Sequence, residues 1–250
     1  MARLESGGRV RGETLSQAQV DAAGDLSDLV LDDCTLDDVV FADTVLQGAR
    51  LSRCRLARCR FSRADLREAV FEDCSFADRG AQLGAAFAFG RLDQARFLRC
   101  ELTHAHFNGV ELYGVQMEDC NLLGARFERS SFSRAFGGKV VRTSAALVGC
   151  NFELADLAGV RLPGCELARC RLREADLSGA DLEGADLTGA DLFQAILDGA
   201  RLAGADLRGA EVSGLDLRRL ATYADARITA DQQARLLTAM GLDIHPDERG

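Results

Sequence analysis

Residues 165–217 read CELAR CRLRE ADLSG ADLEG ADLTG ADLFQ AILDG ARLAG ADLRG AEVSG LDL, one five-residue unit returning without a slip. A small residue comes first, an often charged one second, an apolar one (mostly Leu) third, and two mostly polar or Gly positions close the unit. With the Leu as centre i, the small residue is i−2. An α-helix would spread such leucines around its whole circumference, because five residues turn it well past one turn. In a strand, i−2 and i face one way and i−1 and i+1 the other. The fifth residue must then turn a corner. A strand-like step plus a corner, repeated, is a solenoid whose interior takes the small residue and the large centre.

Working outward, the same count holds over most of the chain. Centres recur by fives from Leu26 to Phe76, from Phe87 to Phe132 and from Leu147 to Leu217, and every one is apolar. Residues 79–84 interrupt the array with six positions, one more than a repeat, so they shift the phase and are expected to leave the wall as a loop. Residues 135–144 are ten and keep the phase. Read as repeats, they would put Gly137 and Arg142 inside, and an unpaired buried arginine is too costly. They too are expected to project, with Gly137 and Gly138 supplying flexibility. Residues 1–23 are polar, with Gly7, Gly8 and Gly12, and are read as a lead-in or short cap. The expected organisation is thus lead-in 1–23, repeat array 24–217 and tail 218–250.

In the tail, Thr229-Ala-Asp-Gln232 predicts a capping box, followed by a helix to Met240 closed by Gly241. Its Leu236, Leu237 and Met240 make an apolar stripe, continued by Leu242 and Ile244. Such a helix either caps the exposed last coil of its own rod or pairs two rods end to end as a homodimer.

The net charge of −9 argues against a nucleic-acid binder, whose affinity comes from clustered Lys and Arg. Lys139 is the only lysine. Met1 to Val20 holds no apolar run of signal-peptide type and no later segment approaches a membrane span, so a cytoplasmic, membrane-free protein is expected. All nine cysteines (Cys34, Cys54, Cys59, Cys74, Cys100, Cys120, Cys150, Cys165, Cys170) fall at i−2. Single-file columns such as Cys34, Cys54, Cys74 cannot wrap four ligands around zinc, and there is no CxxC pair. Parallel side chains on adjacent rungs do not point at each other as a disulfide requires. Buried small hydrophobes are the better reading, so no metal and no cofactor are expected. His104 and His106 flank Ala105 with no nucleophile beside them, and no phosphate loop or carboxylate pair is present. An enzyme is not expected.

The acidic residues admit two readings. Residues 21–43 carry eight aspartates and no basic residue, and Asp176, Asp181, Asp186 and Asp191 occupy i−1 on successive faces, with Asp186 one rung from Asp206. This could make a rod of duplex width and negative surface, or simply be the repeat pattern. Against the first stands a basic belt of Arg50, Arg53, Arg55, Arg58, Arg60, Arg63 and Arg67.

The pattern A-(D/N)-L-x-x resembles the pentapeptide-repeat family. That resemblance implies an all-β, right-handed quadrilateral β-helix with 20 residues per coil and a length of roughly 40–45 Å, here with two projecting loops and a short C-terminal α-helix. The loops CSFADRGAQLG at 74–84 and FSRAFGGKVVRTSA at 132–145 look like those of the quinolone-resistance (Qnr-type) proteins, as do GLDLRR at 214–219 and LLTAMGLDI at 236–244. The resemblance implies a dimeric, DNA-mimicking protein that binds DNA gyrase or topoisomerase IV and protects it from poisons. Arg79, Gln82 and Leu83 on the first loop, and Phe136, Lys139 and Arg142 on the second, are then the expected contacts. Two features depart from that group: the second loop has no aromatic except Phe136, and the N-terminal array is longer. A structural or adaptor solenoid without a topoisomerase is the competing expectation.

Overall fold

The computed structural model describes residues 3–78, 80, 83–137 and 140–245 of the chain. Its strands are β1 (Arg9–Arg11), β2 (Val30–Asp32), β3 (Val40–Ala42), β4 (Arg50–Ser52), β5 (Arg60–Ser62), β6 (Val70–Glu72) and β7 (Ala86–Ala88). They continue with β8 (Arg96–Leu98), β9 (His106–Asn108), β10 (Val115–Glu118), β11 (Arg126–Glu128), β12 (Ser133–Phe136), β13 (Val140–Thr143) and β14 (Ala145–Val148). Two helices, α1 (Gln17–Ala23) and α2 (Ala230–Ala239), lie at the two ends.

Each strand is three or four residues long because the pentapeptide leaves no more before the corner. One wall is a parallel sheet in the order β1-β2-β4-β6-β8-β10-β14, and another is β11-β9-β7-β5-β3. Two further walls are columns of parallel bridges, Thr35–Arg55–Ser75–Glu101–Asn121–Asn151 and Asp25–Val45–Asp65–Arg91–Glu111–Ser131. Beyond β14 the walls continue as bridges alone, for instance Glu166–Asp186–Asp206–Arg227. The result is a four-sided β-helix, right-handed as parallel crossover connections are. The centres and the i−2 residues fill the interior: Leu26, Leu66, Leu112, Leu162 and Leu187 are all fully buried. Each such side chain contributes about 1.5–3 kcal/mol by leaving water.

Because coils repeat at the strand spacing, like residues meet like. Phe41, Phe61, Phe87, Phe107 and Phe127 form one stack with ring centroids 4.8, 4.8, 4.9 and 4.6 Å apart, the inter-strand distance itself. The cysteines are all free and buried. Most of them donate Sγ–H to a carbonyl of the preceding coil, as Cys59 does to Leu36 at 3.1 Å and Cys74 to Leu51 at 3.3 Å. Burial pushes the thiols of Cys59 and Cys170 up to about 12 and that of Cys165 to about 11.

Corners need a residue with positive φ. In the first half these are mostly charged, such as Asp38 (φ 58), Arg58 (φ 57) and Asp73 (φ 52). After Gly149 they are mostly glycine, which adopts that conformation without strain.

Residues 3–23, expected as a polar lead-in or short cap, form a coil of the rod with its closing helix. β1 pairs in parallel with β2, Thr14 bridges Thr35, and Leu4, Val10, Leu15 and Val20 are buried. The polar composition concealed a coil whose few apolar residues stand where the interior needs them. Helix α1 then closes this end: the Gln17 side-chain amide donates to the Val40 carbonyl (2.9 Å) and accepts the Val40 N–H (2.7 Å), standing in for a strand on the outer edge of β3. At the other end α2 has the expected capping box of Thr229 and Gln232. Gln232 also donates to the carbonyls of Leu207 (2.7 Å) and Ala210 (2.8 Å) in the last coil.

Candidate functional site

Both interruptions leave the wall. Phe61 pairs with Phe87 and Met117 with Leu147, so the coils on either side remain in register. The first loop turns tightly: Asp78 N–H donates to the Leu83 carbonyl at 2.8 Å, and the Asp78 carboxylate accepts the Gly80 N–H at 3.0 Å. Arg58 ties Asp78 to the wall by an ion pair. Gly84 is required by close approach, since a Cβ there would lie 2.3 Å from the His104 carbonyl carbon. Leu83, bridged to Asp78 at the base of the loop, is 54% exposed. Arg79 and Gln82 lie outside the described residues.

The second interruption is an antiparallel hairpin of β12 and β13 that starts at Ser133, two residues before the expected loop. The Ser144 N–H donates to the Phe132 carbonyl at 3.1 Å and closes its base. One face carries Arg134 opposite Arg142 and Phe136 opposite Val140. Both guanidinium carbons lie 5.8 Å from the Phe136 ring centre, a cation–π distance, and Phe136 meets Tyr113 edge-on at 5.5 Å. Phe136, Val140 and Val141 are exposed. Neither Arg134 nor Arg142 has an ion-pair partner among the described residues. Sequence reasoning found Phe136 and Arg142 but missed Arg134, Val140, Val141 and Tyr113; strand alternation on the two arms was the signal that pairs Arg134 with Arg142. Lys139 lies outside the described residues. The two projections stand on diagonally opposite corners of the rod and are not brought together.

The acidic surface is less bare than the sequence implied. The carboxylates of Asp176, Asp186 and Asp191 accept the backbone N–H groups of Ser178 (2.9 Å), Thr188 (2.9 Å) and Phe193 (3.0 Å), turn-forming bonds typical of aspartate. Asp181 lies between Arg161 and Arg201 at 3.8 and 3.9 Å. Asp206, expected as surface, is buried. The Arg208 guanidinium holds its carboxyl down at about 2. In the first half, the aspartates of residues 21–43 meet the arginine belt one coil on: Arg58 pairs with Asp38 and Arg63 with Asp43, both at 2.6 Å, and Arg55 with Asp37 at 3.1 Å. The coil repeat itself causes this neutralisation.

Of the expected dimerisation residues, Leu236 is corrected: it is buried against its own rod, because the capping box aims that face of α2 at the last coil. Leu237 and Met240 are half-buried, while Leu242 and Ile244 are exposed. No group of three or more His, Cys, Asp or Glu among the described residues is arranged to hold a metal ion. No helix among them is long and apolar enough to cross a membrane.

The profile described as pentapeptide repeats matches residues 25–63, 150–189 and 185–219, and that of a pentapeptide repeat region matches 49–127. No curated protein matches the sequence. Among solved structures, a trypsin-treated variant of QnrB1, a plasmid-mediated fluoroquinolone resistance protein, superposes with a TM-score of 0.74 at 24% identity, covering 98% of this chain and 100% of that one. Full-length QnrB1 gives the same TM-score and identity over 96% and 100%. HetL, a pentapeptide repeat protein involved in heterocyst differentiation regulation from the cyanobacterium Nostoc, reaches a TM-score of 0.34 at 25% identity over 90% and 87%.

Proposed function

We propose that this chain, which belongs to the pentapeptide-repeat family, is a non-enzymatic cytoplasmic protein that binds a type II topoisomerase, DNA gyrase or topoisomerase IV, and protects it from poisons. The observation that carries this reading is the hairpin of residues 133–143. A coil needs none of it, yet it presents Phe136, Val140 and Val141 with Arg134 and Arg142, the aromatic, aliphatic and arginine mixture of protein-interface anchors. The likeness of the whole rod to QnrB1, a fluoroquinolone resistance protein, supports the choice of partner. Leu83 on the first loop is a second anchor.

On this reading the rod imitates duplex DNA more by its width and stiffness than by its charge, since so many of its carboxylates are bonded to backbone or to arginine. Two pairs of acids adjacent in the bridge columns, Glu166 with Asp186 and Asp156 with Asp176, have no ion-pair partner among the described residues and are its DNA-like parts. A homodimer would form through Leu237, Met240, Leu242 and Ile244.

The test is supercoiling by purified gyrase in the presence of a fluoroquinolone, with the protein added in series and with residues 135–144 deleted. Dose-dependent rescue that is lost on deletion is expected. Absence of rescue at every dose would leave the adaptor solenoid as the better reading, and rescue indifferent to the deletion would remove the hairpin from the mechanism. Light scattering after gel filtration checks the dimer, with a monomer mass at micromolar concentration overturning it.

A further inference from the structure

The wall formed by β3, β5, β7, β9 and β11 differs from the others at one coil. Its outward residues there are Ala86 and Ala88, while Arg60 stands one rung to one side and His106 and Arg126 lie on the other. Small side chains between long ones carve a trough. A groove of about 330 Å³ runs between Leu83, Arg60 and His104, and another of about 210 Å³ between Ala88, Asn108 and Arg126. Ala86 and His106 line both, so the two are continuous across the wall.

Exposed apolar residues stand at the corners on either side of β7, Leu83 before it, lining the first groove, and Phe89 after it, 59% exposed and lying with its ring against Gly109 beside the second. Phe89 holds φ at 54°, a conformation that a bulky L residue adopts at a cost and that the same corner column meets elsewhere with Gly109, Asp43, Arg63 or Arg129. A strained, solvent-facing phenylalanine that contributes little to the interior calls for an account by function.

Charge identifies the occupant. Across the first half of the rod the arginines are mostly engaged, as Arg58, Arg63, Arg67 and Arg99 are by aspartates. Among the described residues, Arg60 and Arg126, which line the trough, have no carboxylate partner, and neither has Arg129, which donates to Asn108 on its rim at 3.0 Å. Of the lining acids, Asp38 is taken by Arg58, leaving Glu128. In a chain of net charge −9 this is a locally cationic surface. Apolar ends and a cationic middle fit a short protein segment with carboxylates between apolar side chains; a nucleic-acid backbone would supply the charge but no apolar side chains for both ends.

The geometry points to the trough over Ala86 and Ala88, from Leu83 to Phe89, as a docking surface for a short acidic peptide segment of a partner protein, bound by Arg60, Arg126 and Arg129. This stands whether or not the partner of the hairpin is a topoisomerase. The test is fluorescence polarisation with the full-length protein and a labelled peptide of glutamates flanked by leucines, beside the same peptide with lysines and a labelled oligothymidylate. The glutamate peptide is expected to bind at least about tenfold more tightly than either control. Phe89→Gly, which relieves the backbone, is expected to leave the thermal midpoint unchanged or higher and to weaken binding about tenfold; Ala86→Lys, which fills the trough, should weaken it as much. Equal binding of the lysine peptide, tighter binding of the oligothymidylate, or wild-type affinity in both folded variants would each overturn the assignment.

Discussion

Excision of residues 135–144 joins Arg134 to Ala145 and recreates an uninterrupted array, Phe132-Ser-Arg-Ala145-Ala-Leu147. Arg134 would become the corner residue, a role that Arg129 already fills at φ 52. What is lost is confined to the excursion: its own ladder and the contacts of Arg134 and Arg142 with Phe136, which hold the hairpin rather than the coils, the Tyr113–Phe136 ring contact, about 0.5–1.5 kcal/mol, and the hydroxyl bond between Ser133 and Thr143, about 0.5–1.5 kcal/mol. Against this, the chain no longer orders an exposed excursion, whose closure alone costs entropy. The net change in unfolding free energy should lie within about 1 kcal/mol of zero. Removing one residue more, 134–144, leaves the turn without its positive-φ residue, and the Leu147 centre cannot reach its place. That variant should lose at least the packing of one buried leucine, about 2–5 kcal/mol. Urea denaturation followed by circular dichroism measures both. If the ten-residue excision costs more than about 3 kcal/mol, or the eleven-residue one is equally stable, the phase reasoning fails.

Three other outcomes are expected. Asp206 is buried and held near 2 by Arg208; a depressed carboxyl contributes stability above its unfolded pKa near 4 and loses it as pH falls through 2, so Asp206→Asn should cost about 2 kcal/mol at pH 7 and almost nothing near pH 2, read by denaturation at both. All nine cysteines are buried, and Cys59 and Cys170, with thiols pushed up to about 12, are thiolate to only about one part in ten thousand at pH 8; because burial denies reagent access to every one, iodoacetamide should leave the folded protein unlabelled by mass spectrometry and modify all nine in guanidinium, and rapid labelling of native protein would contradict the burial. Gln232→Leu leaves the Leu207 and Ala210 carbonyls without their donors and should cost about 2–4 kcal/mol, seen as a lower urea midpoint, whereas an unchanged midpoint would mean that α2 does not seal the last coil.

Period five made the walls, the interior, the placement of every cysteine and the two excursions legible before any coordinate. What stayed hidden depends on contacts twenty residues apart or on backbone conformation. The aspartates of 21–43 and the arginines of 50–67 look like two opposed patches in one dimension; coiled, Asp38 touches Arg58 and Asp43 touches Arg63. The first coil escaped notice because Val10, Leu15 and Val20, though five apart, stand one residue out of phase with the array that begins at Leu26. Of the hairpin, Phe136 and Arg142 were visible by type, but Arg134 joins them only through antiparallel register. Nothing in the residue types announces that Phe89 sits at positive φ; only the corner column does.

The two glutamines at the ends of the rod have a consequence for assembly. A parallel stack of identical rungs is a template for its own extension, and an uncovered terminal coil would invite a second copy to add on. Gln17 occupies the N–H and C=O of Val40 at one end, and Gln232 takes up two carbonyls at the other. The rod therefore behaves as a ruler of fixed length rather than a fibre seed, its length written into the number of coils between these stops.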